Sequence, residues 1–354
     1  MHPQFLGWAG LTLLVGASAA GAWEPPASLR ETGLYRDWEA KAVDPANLHF
    51  TPQYPLWSDG AVKSRWILIP EGQFVDAQDA DCWEFPVGTK FWKEFRVGRR
   101  RVETRYIART TEGWQFAAYL WSPDESGAPL AAERGAQAAA EVAPGVRHRI
   151  PSRWDCRTCH EGRPVPVLGF NALQLSRDRD RNALHAERPA PGDVDLDLLV
   201  KRGLVRGLAP ALRRKPPRIA ARSATERAAL GYLYANCAMC HNARSSLADL
   251  GFSLDTPAAR RSGDEDALLT AVGRPSRFGL PGAAPGLSER VRAGDPDASV
   301  IALRMESRNP ALQMPPLGTQ LVDGLAVRLV RQWIAEELDG RKLTDHHSAK
   351  EARE

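Results

Sequence analysis

The sequence lacks the features of a membrane-embedded or nucleic-acid-binding protein. Beyond the N-terminus, no stretch of the 354 residues is both long and apolar enough to span a bilayer. The net charge is only +4, and basic runs such as residues 96–101 and 213–218 are typical of solvated faces. We therefore expect no integral membrane span in the mature chain and no nucleic-acid partner.

The single long apolar run lies at the N-terminus, from Phe5 to about Val15. It falls short of the roughly 20 residues that a bilayer span needs. The small residues that follow it end in Ala20-Gly21-Ala22, which is typical of a secretory cleavage site. The residues before the run include no Lys or Arg, yet the rest of the pattern predicts a signal peptide over residues 1–22, cleaved near Ala22, and a periplasmic location.

Cysteine is scarce, and four of the five cysteines fall into one repeated pattern. In each copy, "CRTCH" and "CAMCH", two cysteines are separated by two residues and followed at once by a histidine. The two copies comprise Cys156, Cys159 and His160, and then Cys237, Cys240 and His241. The fifth cysteine, Cys82, has no partner left, and we expect it to be a small buried residue.

The spacing in these motifs is typical of haem c attachment. Two residues between the cysteines allow one tight turn to reach both former vinyl groups of the macrocycle, and the next residue then points at the iron. We therefore predict two covalently bound haem c groups, held through the four cysteines, with His160 and His241 as iron ligands.

Three other interpretations of the cysteine pairs fit less well. The pairs are too far apart in sequence for a compact four-cysteine zinc site. Neither pair follows a buried parallel strand, as a thioredoxin-like redox pair would. Disulfides within each pair would leave both histidines unexplained.

Methionine is scarce as well, and this limits the second axial ligand of each iron. Met314 lies in a loop that Pro315 and Pro316 stiffen, and a thioether opposite a histidine raises the reduction potential of a haem. We predict that Met314 is the distal ligand of the second haem. Met305 is expected to be a helix residue that packs on the ring.

The distal ligand of the first haem stays open, because no methionine lies between His160 and Met239. The alternatives are His148, His185, Met305 or an iron with an open position. Each spare histidine is otherwise typical of a solvated surface residue.

Aromatic and β-branched residues alternate with polar ones between residues 50 and 125, as in "SRWILIP", "KFWKEFRV", "RVETRYIAR" and "GWQFAAYLWS". This alternation predicts short strands joined by turns. Eight of the eleven tryptophans lie between Trp23 and Trp121, so this unit can bury a substantial core. Residues 127–147 are rich in alanine, and we expect a short surface helix or a linker there.

The pattern becomes helical further along the chain. Ser223 and Glu226 have the spacing of a capping box, which predicts a helix from about 224 to 237 that leads into the second motif. Asp323 precedes a second amphipathic helix. We expect the buried face of that helix to comprise Leu325, Leu329, Val330, Trp333 and Ile334.

The predicted fold class is α+β, with a β-rich N-terminal domain followed by a mainly α-helical di-haem cytochrome c region. The predicted divisions are a signal peptide (1–22), the β-rich domain (23–147), a first haem-binding segment (148–222), a C-terminal cytochrome c domain (223–342) and a polar tail (343–354).

Taken together, these motifs resemble a bacterial family of exported di-haem c-type cytochromes. The stretches "ERAALGYLYANCAMCHN", "RAGDPDASVIALRM", "QMPPLG" and "VRQWIAEEL" resemble its C-terminal cytochrome c domain. The stretches "YPLWSDGAVKSRWILIP", "WEFPVGTKFWKEF" and "IPSRWDCRTCH" resemble its β-rich N-terminal part. The resemblance covers roughly residues 50 to 340. It implies haem attachment at the same four cysteines, with His160, His241 and Met314 as iron ligands.

The favoured function is single-electron transfer between periplasmic redox partner proteins, since the sequence contains no separate catalytic constellation. The alternative is a di-haem peroxidase or oxygenase in which the first haem has an open position. A third hypothesis, compatible with the first, makes the β-rich domain a binding module for a partner.

Overall fold

The structure, a computed structural model, describes residues 23–258, 266–282 and 288–338. The predicted signal peptide and polar tail lie outside the described residues. The chain is a mixed helix and sheet protein, with 22% of the described residues helical and 23% in strands that form several sheets.

The largest sheet has five antiparallel strands in the order β3-β4-β6-β7-β8. Three two-stranded sheets, β1-β2, β9-β10 and β5-β11, accompany it. The strands are Tyr35–Asp37 (β1), Ala42–Val43 (β2), Leu48–His49 (β3), Val62–Leu68 (β4), Val75–Asp76 (β5), Lys90–Val97 (β6), Arg100–Thr110 (β7), Gly113–Leu120 (β8), Ala136–Ala143 (β9), Val146–Ile150 (β10) and Val205–Arg206 (β11).

The alternation of residues in the sequence decides which side of the main sheet each residue faces. One face carries Trp66, Trp92 and Tyr106 on three adjacent strands, and these pack against a cluster that includes Leu29 and Trp38. Because successive side chains point to opposite faces, the residues between them line the other face. The four strands predicted between residues 50 and 125 are confirmed as β4, β6, β7 and β8.

The prediction of a helix or linker for residues 127–147 was wrong. Strands β9 and β10 form an antiparallel pair in this stretch, turning near Gly145, whose φ of +73° suits glycine. Ala138 is buried in a cluster with Phe95 and Val102, so its small side chain packs against the main sheet. Tertiary packing thus overrides the helix propensity of alanine.

Most of the helices follow the strands along the chain, although the first two precede β11. Two short 3-10 turns, Leu29–Thr32 and Ala248–Leu250, lie outside them, and a π-helical turn, Trp333–Glu337, continues the last one. The helices are Arg153–His160 (α1), Leu196–Lys201 (α2), Pro210–Arg214 (α3), Ala224–Asn236 (α4), Asp266–Ala271 (α5), Val300–Glu306 (α6) and Gly324–Gln332 (α7). Within the described ranges, none of the helices combines the length and the apolar character needed to cross a bilayer.

The two helices predicted from capping residues are confirmed as α4 and α7. The Ser223 hydroxyl accepts a hydrogen bond from the Glu226 amide at 3.0 Å, and the Asp323 carboxylate accepts one from the Ala326 amide at 3.2 Å. The predicted buried face of α7 was wrong at Leu325, which is 50% exposed.

Hydrophobic clusters join stretches that are far apart in sequence. One cluster combines Phe50, Phe91 and Trp83 with Phe170 and Leu199, so the segment around the first motif shares its core with the β-rich part. Another packs α4 against α7 and the π-helical turn. The predicted domain boundaries stay a prediction, since these shared cores do not mark them.

We expect Gly231→Ala to destabilise the fold. Gly231 lies buried in α4, and a Cβ atom there would overlap the ring of Tyr54. Tyr54 is held in place because its hydroxyl donates a hydrogen bond to Asp180. Overpacking of this kind costs about 1–3 kcal/mol. Thermal or urea unfolding measures the loss.

The matched control is Gly127→Ala, because a Cβ at Gly127 meets no atom within 4 Å among the described residues. It is expected to leave the unfolding midpoint unchanged. Equal midpoints for the two variants would contradict the packing of α4 described above.

Candidate functional site

A single cavity of about 540 Å³ lies between the main sheet and the helices. It brings together every site residue predicted from the sequence, although these are spread over more than 150 positions of the chain. The predicted site residues that line it are Cys156, Cys159, His160, Cys237, Cys240, His241 and Met314.

Helix α1 presents the first motif to this cavity. The helix begins with a complete capping box, in which the Ser152 hydroxyl accepts from the Asp155 amide and the Asp155 carboxylate accepts from the Ser152 amide, both at 3.0 Å. The helix ends at His160, so all three motif residues lie within it.

The His160 ring is oriented as a metal-ligating imidazole usually is. Its Nδ1 lies 2.7 Å from the carbonyl oxygen of Pro166, and because a carbonyl only accepts, Nδ1 carries the proton. This leaves Nε2 with a lone pair, the arrangement found where a backbone carbonyl orients a ligating histidine. Burial lowers the pKa of His160 to about 4, so the ring is neutral at pH 7.

The second motif lies at the C-terminal end of α4. Cys237 caps the helix, and the amides of Cys240 and His241 both donate to its carbonyl, at 3.1 and 2.9 Å, which closes a tight turn. The His241 ring packs on Phe252 with 4.8 Å between centroids. Burial lowers the pKa of His241 to about 4, so this imidazole is neutral too.

His241 differs from His160 in its hydrogen bonding. Its Nδ1 is buried and has no hydrogen-bond partner among the described residues. A buried polar atom without a partner costs about 1–3 kcal/mol. Among the described residues, His241 therefore has no carbonyl that orients its ring in the way that Pro166 orients His160.

The two motifs are in direct contact through the segments that follow them. The Asn242 side-chain amide donates to the carbonyls of Gly162, at 3.1 Å, and Ala238, at 2.8 Å. A Cβ atom at Gly162 would overlap the Met239 carbonyl, so only glycine fits there. Burial, with the nearby Cys159 thiol, raises the pKa of Cys240 to about 11.

The other three motif thiols have raised pKa values as well. Burial raises the pKa of Cys156 to about 11 and that of Cys237 to about 12, and it raises the pKa of Cys159. All four are therefore thiols at neutral pH. A catalytic redox pair needs a lowered thiol pKa, so the thioredoxin-like alternative is disfavoured.

Met314 and Met305 occupy different surroundings. Met314 lies on the loop after α6, held where its amide donates to the Arg304 carbonyl at 2.9 Å, and it lines the cavity with Pro315. Met305 lies in α6, as predicted, and is 7% exposed within the helical core. It also borders the cavity. The assignment of Met314 as the ligand stays a prediction.

The interpretation of His148 as a solvated surface residue was wrong, whereas His185 is half-buried, with 23% of its side chain exposed. His148 is 3% exposed, lines the cavity and bonds through Nε2 to the Glu103 carboxylate at 2.8 Å. His185 bonds through Nε2 to Asp323 at 2.8 Å. Each ring is held by a carboxylate.

The cavity is lined by more basic side chains than carboxylates. Among the described residues that line it, eight are Lys or Arg and three are carboxylates. Those carboxylates, Asp59, Asp155 and Asp323, all accept hydrogen bonds from backbone amides. The excess of cations fits an anionic ligand.

Cys82 is half-buried rather than fully buried as predicted. It lies in a second cavity of about 270 Å³, with Asp81 and Arg244. Burial raises the pKa of its thiol, so it is protonated at neutral pH.

Within the described ranges, no three His, Cys, Asp or Glu side chains converge on a point where they could hold a metal ion. A haem iron is held mainly by its macrocycle and needs only one or two protein ligands. Comparisons with protein-family models, curated protein sequences and solved structures found no match to this chain. The resemblance described above stays a prediction.

Several functional candidates were missed by sequence reasoning. These are the cavity-lining cations of the main sheet and the buried pair of His148 and Glu103. The sequence contains a signal for them, because residues two apart in a strand lie on the same face of the sheet. By this rule Lys93 shares a face with Phe91, and Arg105 shares one with Ile107. His148 likewise shares a face with Ile150.

The residues present fit two haem c groups. Thiols stand at both attachment motifs, both histidines are neutral, and the single cavity that they share is lined by more basic side chains than carboxylates. When bound, one haem would be held by Cys156 and Cys159 with His160 as an iron ligand, and the other by Cys237 and Cys240 with His241 as an iron ligand.

We expect Met314→His to lower one of two reduction potentials and to abolish the weak sulfur-to-iron absorption band of the ferric protein. A thioether favours ferrous iron more than an imidazole does, so the exchange removes stabilisation of the reduced state. Visible spectroscopy and a potentiometric titration measure both effects.

Met305→Leu is the matched control, because leucine keeps most of the volume of a packing methionine. It should leave the band and both potentials unchanged. Loss of the band in Met305→Leu, with its retention in Met314→His, would reverse the assignment.

Proposed function

We propose that the chain is an exported di-haem c-type cytochrome that passes single electrons between redox partner proteins in the periplasm. One observation carries the proposal. Both Cys-x-x-Cys-His motifs open into one cavity and touch through Gly162, Met239 and Asn242. Two cofactors attached there would be neighbours, which suits transfer of an electron from one to the other.

The haem iron supplies one-electron redox chemistry. The protein holds the cofactors through Cys156, Cys159, Cys237 and Cys240, and it keeps water from them by the apolar lining of the cavity. Cations near His241, among them Arg290 and Arg304, act electrostatically on its ring. A positive surrounding stabilises the less positive ferrous state and so raises the reduction potential.

The resemblance to exported di-haem cytochromes supports the same proposal, as does the predicted signal peptide. The cofactor is assembled outside the cytoplasm, where an exported chain meets redox partners. Met314 on the cavity wall supplies a ligand that favours a high potential, which suits a carrier.

The proposal is tested by counting haems. The protein, produced with a cytochrome c maturation system, should contain two haems per chain by pyridine haemochrome assay. The double variant Cys237→Ala/Cys240→Ala should contain one, because it lacks both thiols of one motif. Cys82→Ala is the control and should keep two. A wild-type protein without covalent haem would end the proposal.

A second candidate function is a di-haem peroxidase with an open first haem. The buried hydrogen bond between His148 and Glu103 favours it, because His148 lines the cavity beside Arg105 and could move a proton between Glu103 and the cavity. General acid–base groups of this kind contribute about 10²–10⁴-fold to a rate.

The spin state of the ferric protein separates the two functions. As a carrier, the protein should show two low-spin haems that cyanide and peroxide leave unchanged. A high-spin signal that shifts with cyanide would favour the peroxidase. In that case His148→Ala should lower peroxide turnover, whereas His185→Ala, which removes a histidine held by Asp323, should leave it unchanged.

A further inference from the structure

Three cations lie side by side on the cavity face of the main sheet. Arg65 in β4 is paired in register with Lys93 in β6, and Lys93 is paired with Arg105 in β7. All three line the cavity. Like charges directly opposite each other on a sheet are destabilising, so this row requires an explanation.

The carboxylates of the protein neutralise the row only in part. Arg65 is 6% exposed, and one guanidinium nitrogen lies 3.1 Å from Glu187. Its Nη2 is buried without a hydrogen-bond partner among the described residues. Arg105 is bound by Glu103 through two hydrogen bonds, of 2.7 and 3.1 Å.

Lys93, in the centre of the row, has no carboxylate of its own. In the described part of the chain its ammonium group makes no hydrogen bond or ion pair, and it lies 5.0 Å from the centroid of the Phe95 ring. Lys93 is half-buried, and burial together with the neighbouring Arg65 and Arg105 lowers the pKa of its ammonium group. An anion bound in the middle of the row would stabilise the charged form of Lys93.

The next row on the same face is apolar. Phe91, Ile107 and Phe116 are paired in register on β6, β7 and β8, and Phe91 and Ile107 lie two residues along their strands from the cations. The Phe116 ring lies 5.3 Å from the His160 ring. The face beside the first motif therefore has an apolar strip and, parallel to it, a cationic strip.

We propose that Arg65, Lys93 and Arg105 bind the two propionate carboxylates of the haem attached at Cys156 and Cys159. The inference rests on the proposed function. A haem is apolar over most of its surface and carries both carboxylates at one edge, so its chemistry matches two adjacent strips. Hydrogen bonds between such ions are charge-assisted and stronger than neutral ones.

The test compares two lysines of the same strand. Lys93→Met removes the central cation and keeps the length of the side chain. It should lower the reduction potential of the His160 haem, because a propionate left without its cation disfavours ferrous iron. It should also shift the propionate bending modes of one haem in the resonance Raman spectrum.

The control is Lys90→Met, since Lys90 lies on β6 but donates to the Thr32 carbonyl on the opposite side of the sheet. It should leave both potentials and the Raman modes unchanged. Lys93→Arg should keep the wild-type potential, because it keeps the positive charge. If the lysine acted only by filling space, the charge would not matter and Lys93→Met would keep that potential as well.

Three results would overturn the inference. If Lys93→Met contains two haems and both its reduction potentials and its propionate modes are unchanged, the row binds something other than the propionates. If the reduction potential of the wild-type protein shifts when formate is added, the row is a binding site for anions from solution. Equal shifts in the Lys90 and Lys93 variants would show a general charge effect. A count below two haems in the wild type would instead reject the proposed function.

Discussion

The arrangement of the site depends on a close contact between two backbone segments. Gly162 follows the first motif and lies against the carbonyl of Met239, which belongs to the second. The Asn242 amide bridges the same two segments. Glycine has no side chain, and this allows the two segments to approach each other closely. Helices α1 and α4 can then present their histidines to one shared cavity. The main sheet and the C-terminal helices form the two walls of that cavity.

The charge around this contact is unusual for a protein interior. Cations on the sheet and on the loops border a space whose carboxylates are already bound to backbone amides. Burying such charges without partners is costly, and proteins accept the cost mainly where a ligand compensates it. The same charges would stabilise anionic cofactors and raise their reduction potentials.

Local signals in the sequence predicted the elements whose cause is local. The alternation of apolar and polar residues predicted strands β4, β6, β7 and β8, and the capping residues predicted helices α4 and α7. Both signals depend only on residues within a few positions of one another. The motif residues were predicted because covalent attachment requires their spacing. The strand at residues 136–143 was missed, since only packing under Phe95 explains it. Strand parity indicates that Lys93 and Arg105 share a face with Phe91 and Ile107. Strand register and the contact at Gly162 join residues far apart in sequence, so the alignment of the cations in one row and the adjacency of the motifs could not be predicted.

The adjacency of two haems in one cavity is the central claim, and magnetic coupling tests it most directly. Electron paramagnetic resonance of the ferric protein should differ from the sum of the spectra of two one-haem variants, Cys156→Ala/Cys159→Ala and Cys237→Ala/Cys240→Ala, because neighbouring paramagnetic irons broaden or split each other's signals. A wild-type spectrum equal to that sum, with both haems present, would contradict the account.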